Sequence, residues 1–245
     1  MDGWCSVEEL TRWGFGHAQV VMANEAHNGL ERCIRTRDVG VRMIRAAHTA
    51  GVRRLAMEAL PQPDDGSPGP IRAIPPATGG YLAQPDMRKL ITTALELGWS
   101  LWAYEADQAI KRANRTELLS LEFANQRDRE QARNLCQVLA TAPKEPLLVW
   151  AGGDHARKEA AHGWVTMGCH FPALSGIDPF VIDQAVTIDF TGGTTPWIPA
   201  LLATLSDTLA ALGGTAGILR DQAPTPLNTW PGVDALVVST DNTLT

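Results

Sequence analysis

Residues Pro146 to His155 read PLLVWAGGDH, an unbroken apolar run that stops at two glycines and then presents a carboxylate and an imidazole. A short run without polar alternation is what a strand buried on both faces needs. Three more runs have the same form. Gln19 to Ala23 (QVVMA) is followed by Asn24-Glu25-Ala26-His27, Arg54 to Met57 (RLAM) by Glu58, and Ser100 to Tyr104 (SLWAY) by Glu105 and then Asp107. A later pair, Phe180 to Phe190 and Ala235 to Thr240, completes the set of strand candidates.

Helical spacing fills the intervals. Val39, Met43, Ala47 and Ala50 form one apolar face that ends at Gly51, and Met87, Leu90, Ile91, Ala94 and Leu95 form another that ends at Gly98. Leu121, Ala124, Ala132, Leu135 and Leu139 mark a long helix before Pro143, and Ile198, Leu201, Leu202, Leu205, Leu209 and Leu212 mark one stopped by Gly213-Gly214. Alternating strands and helices predict an α/β fold, a mainly parallel sheet flanked by helices on both faces. Such a sheet binds ligands at the C-terminal ends of its strands. The length of 245 residues suits a single α/β domain spanning 1–245. Pro61 to Pro85 holds seven prolines and no periodicity, and reads as a loop or lid. Asp221 to Gly232 reads as a Pro-rich connection to the last strand.

Composition narrows the function. With 21 Lys+Arg against 27 Asp+Glu the net charge is −6, and no basic stripe stands out, which argues against nucleic acid as a partner. No apolar run approaches the length of a membrane span. The first residues lack the basic and apolar regions of a secretory signal, so a cytoplasmic location is expected. Cys5, Cys33, Cys136 and Cys169 are too far apart for a CxxC motif and read as reduced thiols. There is no GxGxxG, P-loop or GxSxG motif.

Four strand ends that each deliver Glu or His form a candidate polar site: Glu25 and His27, Glu58, Glu105, and His155. On an extended backbone Glu25 and His27 would point to the same side. His17, His48 and His162 read as ordinary surface or helix-end residues, and His170 is ambiguous. Asp128 falls on the apolar stripe of the long helix beside Arg127. A charge there is costly unless it is paired or hydrogen-bonded. Either the stripe meets the polar site at that point, or Arg127 and Asp128 pair with each other. Two histidines and several carboxylates can hold a divalent ion such as Zn, Mn or Fe. Without a metal, a histidine serves as general base while a neighbouring carboxylate orients it.

With these residues the chain resembles the erythromycin esterase / ChaN-like / Tiki-TraB superfamily. The family's Gly-Glu-x-His element corresponds to Asn24-Glu25-Ala26-His27, with Asn24 where the family has Gly. Its second-strand Glu corresponds to Glu58. Its helical Arg-Asp element corresponds to Arg127-Asp128 and runs on to Asn134, with Gln131 in place of Met. Its Gly-x-x-His corresponds to Gly152-Gly153-Asp154-His155. The order holds over roughly residues 18 to 190. The resemblance implies a site built from Glu25, His27, Glu58 and His155, acting as catalytic residues or as metal ligands.

The expected function is hydrolysis of an ester, lactone or amide in a small molecule or modified peptide. His27 would activate water, directly or on a metal. Arg127 would hold a substrate carboxylate through a bidentate contact, and Glu105 and Asp128 would line the substrate site. Two alternatives stand beside it. One is a haem- or metal-binding protein without turnover, with Tyr81 and Tyr104, the only tyrosines, as axial haem ligands. The other is a metal-dependent lyase, isomerase or oxidase. Oligomeric state is not legible.

Overall fold

The computed structural model describes residues 3–28, 31–62, 69–74, 80–107, 120–188, 195–241 and 243–244. In chain order it contains α1 (Val7–His17), β1 (Val20–Glu25), β2 (His27–Asn28), β3 (Glu31–Arg32), α2 (Ile34–Thr49), β4 (Arg54–Met57), α3 (Pro85–Glu96), β5 (Ser100–Ala103), α4 (Leu121–Ala140), β6 (Leu147–Gly152), α5 (Met167–Ser175), β7 (Phe180–Asp183), α6 (Trp197–Thr204), α7 (Ser206–Ala211), β8 (Thr215–Leu219) and β9 (Ala235–Ser239). β2 and β3 form a small antiparallel pair. The other seven strands make one sheet in the order β5-β4-β6-β1-β7-β9-β8, parallel throughout except for the edge strand β8.

Each strand of the sheet is buried along its whole length, as continuous apolar runs require. One face carries Val21, Ala23, Leu55, Met57 and Trp150 against Leu10 of α1, Met43 of α2 and Leu90 of α3. The other carries Met22, Ala56, Trp102 and Val149 against Leu135 of α4, Phe171 of α5 and Leu209 of α7. Two apolar cores therefore sandwich the sheet, and the protein is an α/β fold as expected. Gly51 and Gly98 follow α2 and α3 with φ of +88° and +77°, the left-handed conformation that ends a helix.

The sheet is wound outward from β1. The chain leaves β1 for β4 and β5 on one side, returns to insert β6 between β4 and β1, and then crosses to β7 on the other side. A reversal of this kind opens a crevice at the C-terminal ends of the strands flanking the switch. Glu25, Glu58, Glu105 and His155 all follow the C-terminal end of a parallel strand at that edge.

Some expected elements differ. The helix expected over Ile198 to Leu212 is two helices that meet at Leu205, and only Leu205 and Leu209 are buried there. The run beginning at Phe180 ends as a strand at Asp183. Of the expected Pro61–Pro85 lid, residues 63–68 and 75–79 lie outside the described residues, and Gly80–Ala83 forms a short 3-10 turn. Among the described residues no helix is long and apolar enough to cross a membrane.

Candidate functional site

β1 ends at Glu25, Ala26 lies outside any strand, and His27 begins β2. The two-residue extended register expected to align Glu25 with His27 is therefore interrupted. Glu25 turns to the wholly buried Arg37 of α2, accepting from Nε at 2.7 Å and Nη2 at 3.0 Å, and accepts a third bond from Trp150 Nε1 at 3.2 Å. Arg37 also reaches Asp86 of α3 at 2.9 Å, and Asp86 accepts a two-pronged contact from Arg32. Arg37 is thus the centre of a buried ion-pair network that ties Glu25 of β1 to α2 and α3.

His27 has a different environment. Its Nδ1 lies 3.0 Å from the hydroxyl of Tyr81, while its Nε2 is buried without a protein partner. Burial, with Glu25 and Glu58 nearby, pushes the Tyr81 phenol up to about 12, so it keeps its proton. Arg37 lies over the Tyr81 ring at 5.5 Å, so the buried network also supports the group that contacts His27. Glu58, just past β4, also has a buried oxygen without a hydrogen bond, Oε2. Gly152, the last residue of β6, lies between the two. A Cβ there would stand 2.5 Å from His27 Nε2 and 2.6 Å from Glu58 Oε1. The absence of a side chain at Gly152 lets the imidazole and the carboxylate converge.

A second cluster adjoins the first. Arg127 of α4 gives its fork to Glu105, Nε to Oε1 at 3.0 Å and Nη2 to Oε2 at 2.6 Å. Glu105 accepts further bonds from Gln131 and from the Ala106 amide. Arg127 Nη2 lies 3.8 Å from Glu58 Oε2, and this carboxylate surround raises the arginine's pKa further despite its burial. Nη1 of Arg127 meets His155 Nε2 at 3.0 Å. On its other side His155 Nδ1 is 2.7 Å from Asp128, which is fully buried and also accepts from Trp164 Nε1 and the Met167 amide. The proton on His155 is therefore assigned to Nδ1, donated to Asp128, with Nε2 accepting from Arg127. Burial alone would depress the His155 pKa. The hydrogen bond to Asp128 and the charges of Glu58 and Asp128 outweigh it, so the value lies above that of ordinary histidine.

Arg127 and Asp128 are thus not partners of each other. The stripe of α4 meets the polar site at that turn, and beyond it Leu121 and Ala124 leave the core to line a cavity of about 380 Å³ with Phe123, Arg127, His155 and Trp164. The bidentate contact expected between Arg127 and a substrate carboxylate is made instead with Glu105.

The resemblance implies a metal or haem, and the side chains can be tested against each. Among the described residues no group of three or more His, Cys, Asp and Glu is arranged to hold a metal ion. Of the expected set Glu25, His27, Glu58 and His155, both oxygens of Glu25 are engaged by Arg37 and both nitrogens of His155 by Asp128 and Arg127. Of that set only His27 and Glu58 have an atom without a hydrogen bond, and structural or catalytic zinc sites use three or more protein ligands. Tyr104 does not fit an axial haem ligand, because it is wholly buried with its hydroxyl on the Trp150 carbonyl at 2.9 Å. Tyr81, the other tyrosine, has its hydroxyl at His27.

Tyr81 was legible in the sequence only as a haem ligand. Trp164 and Arg37 carried no signal, and Gln131 showed only as a departure from the family's Met, since each acquires its role from a partner distant in the chain. Gly152 was visible in the Gly-x-x-His element, but its function as the floor between His27 and Glu58 was not.

No family model matches the chain, and no curated protein sequence matches it. Two solved structures are similar in fold at low identity. One, described as cofacial heme binding to ChaN of Campylobacter jejuni, is 10% identical, with 96% of this chain and 90% of that chain covered at a TM-score of 0.48. The other, the type III effector HopBA1, is 12% identical, with 77% of this chain and 85% of that chain covered at a TM-score of 0.42.

Proposed function

We propose that the chain is a hydrolase that cleaves an ester, lactone or amide by direct attack of water, with His27 as general base. The observation that carries this reading is the convergence of the His27 and Glu58 side chains at Gly152, with His27 Nε2 buried without a protein partner and Glu58 Oε2 without a hydrogen bond. A buried polar atom without a partner costs about 1–3 kcal/mol, a cost that a bound water or substrate removes. Water attacks the acyl carbon as His27 Nε2 takes its proton, and the Glu58 carboxylate stabilises the imidazolium that forms. The proton then passes to the departing oxygen or nitrogen as the carbon–leaving-group bond breaks. In the tautomer this step needs, Nδ1–H donates to the Tyr81 oxygen, which leaves the lone pair on Nε2 and sets the ring's orientation. Arg127, closed by Glu105, stands 3.8 Å from Glu58 Oε2 and holds that carboxylate beside the site. Glu25 acts through the Arg37 network as a positioning residue.

The test is a panel of p-nitrophenyl esters, simple lactones and p-nitroanilides assayed with wild type, His27→Ala and Glu58→Gln. Wild type is expected to hydrolyse at least one class, and each variant to lose about 100-fold or more, the usual worth of a general base, with circular dichroism and Tm preserved. Turnover no faster than the variants across the whole panel would refute the reading.

A further inference from the structure

The cavity beside Arg127 is lined by the apolar Leu121, Phe123, Ala124 and Trp164 and by the polar Ser120, Arg127 and His155. An arginine and a histidine lining a cavity ordinarily suggest an anion site. The hydrogen bonds here say otherwise. The Arg127 fork is closed by Glu105, which is itself held by Gln131 and the Ala106 amide, so it is not displaced without breaking four contacts. Arg127 Nη1 is taken by His155 Nε2, and His155 Nδ1 by Asp128. The carboxylates of Glu58, Glu105 and Asp128 stand against one guanidinium and one imidazole, so the cluster has no surplus of positive charge. An incoming carboxylate or phosphate would face an arginine and a histidine whose charge is already balanced from behind, with no open fork.

We infer that this cavity binds the apolar aryl or alkyl part of an uncharged ligand and rejects anionic ones. Leu121, although large and apolar, is 47% exposed at the start of α4. Trp164 is fixed by its Nε1 bond to Asp128 and stands edge-on to His155 at 5.3 Å. Both give contact area at little ordering cost, and the volume of about 380 Å³ is at the small end of ligand pockets. The inference rests on the proposed hydrolase reading only for the ligand's role as the apolar part of a substrate. The binding itself stands apart from catalysis.

The experiment uses three probes with one phenylbutyl body and different heads: 4-phenylbutyramide, 4-phenylbutyrate and 4-phenylbutylamine. Binding is followed through the Trp164 indole N–H resonance, assigned with Trp164→Phe, in wild type and in His27→Ala. The amide is expected to bind at least tenfold more tightly than the carboxylate in both proteins. Leu121→Asp at the exposed rim and Ala124→Trp within the cavity are each expected to weaken the amide at least fivefold. Carboxylate binding as tight as the amide, or amide binding unchanged in both variants, would overturn the inference. Because binding is read in His27→Ala as well, failure of hydrolysis across the ester, lactone and anilide panel would refute the catalytic reading and leave this one standing.

Discussion

His27 and Glu58 approach each other over the single position in β6 that carries no side chain. Gly152 has φ −83° and ψ 141°, ordinary extended backbone that any residue adopts, so glycine is not needed there for its conformational freedom. It is needed for the space, since its missing Cβ would lie 2.5 Å and 2.6 Å from the two side chains.

Gly152→Ala is therefore expected to separate function from folding. The atoms it meets are the ends of flexible side chains, which can swing aside. Hydrolysis of whichever substrate class is active should fall about 100-fold, the scale of a lost general base, with Tm little changed. Gly168→Ala is the contrast. Its Cβ would stand 2.1 Å from the Ala156 carbonyl oxygen and 2.4 Å from that of Arg157, backbone atoms that cannot swing away. A loss of about 1–3 kcal/mol or more is expected in denaturant unfolding. A fully active Gly152→Ala would show that His27 and Glu58 need not converge.

The Arg37 network gives a stability prediction. Arg37→Leu leaves Glu25 and Asp86 as carboxylates deprived of their shared buried partner. Breaking a buried pair from one side costs about 3–5 kcal/mol, read from urea unfolding. Arg37→Leu with Glu25→Gln should recover part of that loss, because the stranded charge at β1 is removed. A single variant within 1 kcal/mol of wild type, roughly the worth of an exposed pair, would mean that the network contributes little.

The sheet was legible because four doubly buried strands are continuous apolar runs, and because a Glu or His stands at or within three residues of the end of each. The polar edge followed from that pattern. What the polar groups do there was less legible. Arg37 is one of several basic residues on an amphipathic helix, and nothing local distinguishes it from a surface arginine. Its burial is caused by Glu25 and Asp86, which arrive from two other elements. Arg127 looked available for a substrate for the same reason, until Glu105 closed on it from beyond β5. On α4 the helical period continued through Leu121 and Ala124, but periodicity cannot tell a core-facing stripe from one that lines a cavity. α1 went unread, although Ser6 and Glu9 form a full capping box at its start in the structure. β8 escaped notice because its apolar run TAGIL is interrupted by Gly217, where Leu10 packs closely.

The Asp128–His155 pair makes stability depend on pH in a stated direction. The folded-state pKa of His155 is raised, by a bond and charges that prevail over burial. A raised folded value means that folding favours the protonated ring. The contribution is complete below the unfolded value of about 6.5 and fades as pH climbs through the folded value. Deprotonation has a second effect, since only the neutral ring accepts from Arg127, so the loss is accompanied by formation of the Nε2 contact. The Tm difference between wild type and His155→Asn should therefore be largest near about pH 5 and narrow toward about pH 9, a range set by histidine titration. The His155 ring resonances should titrate above about 6.5. A Tm gap that is flat or widens with rising pH, or a titration below that value, would show that Asp128 does not stabilise the imidazolium.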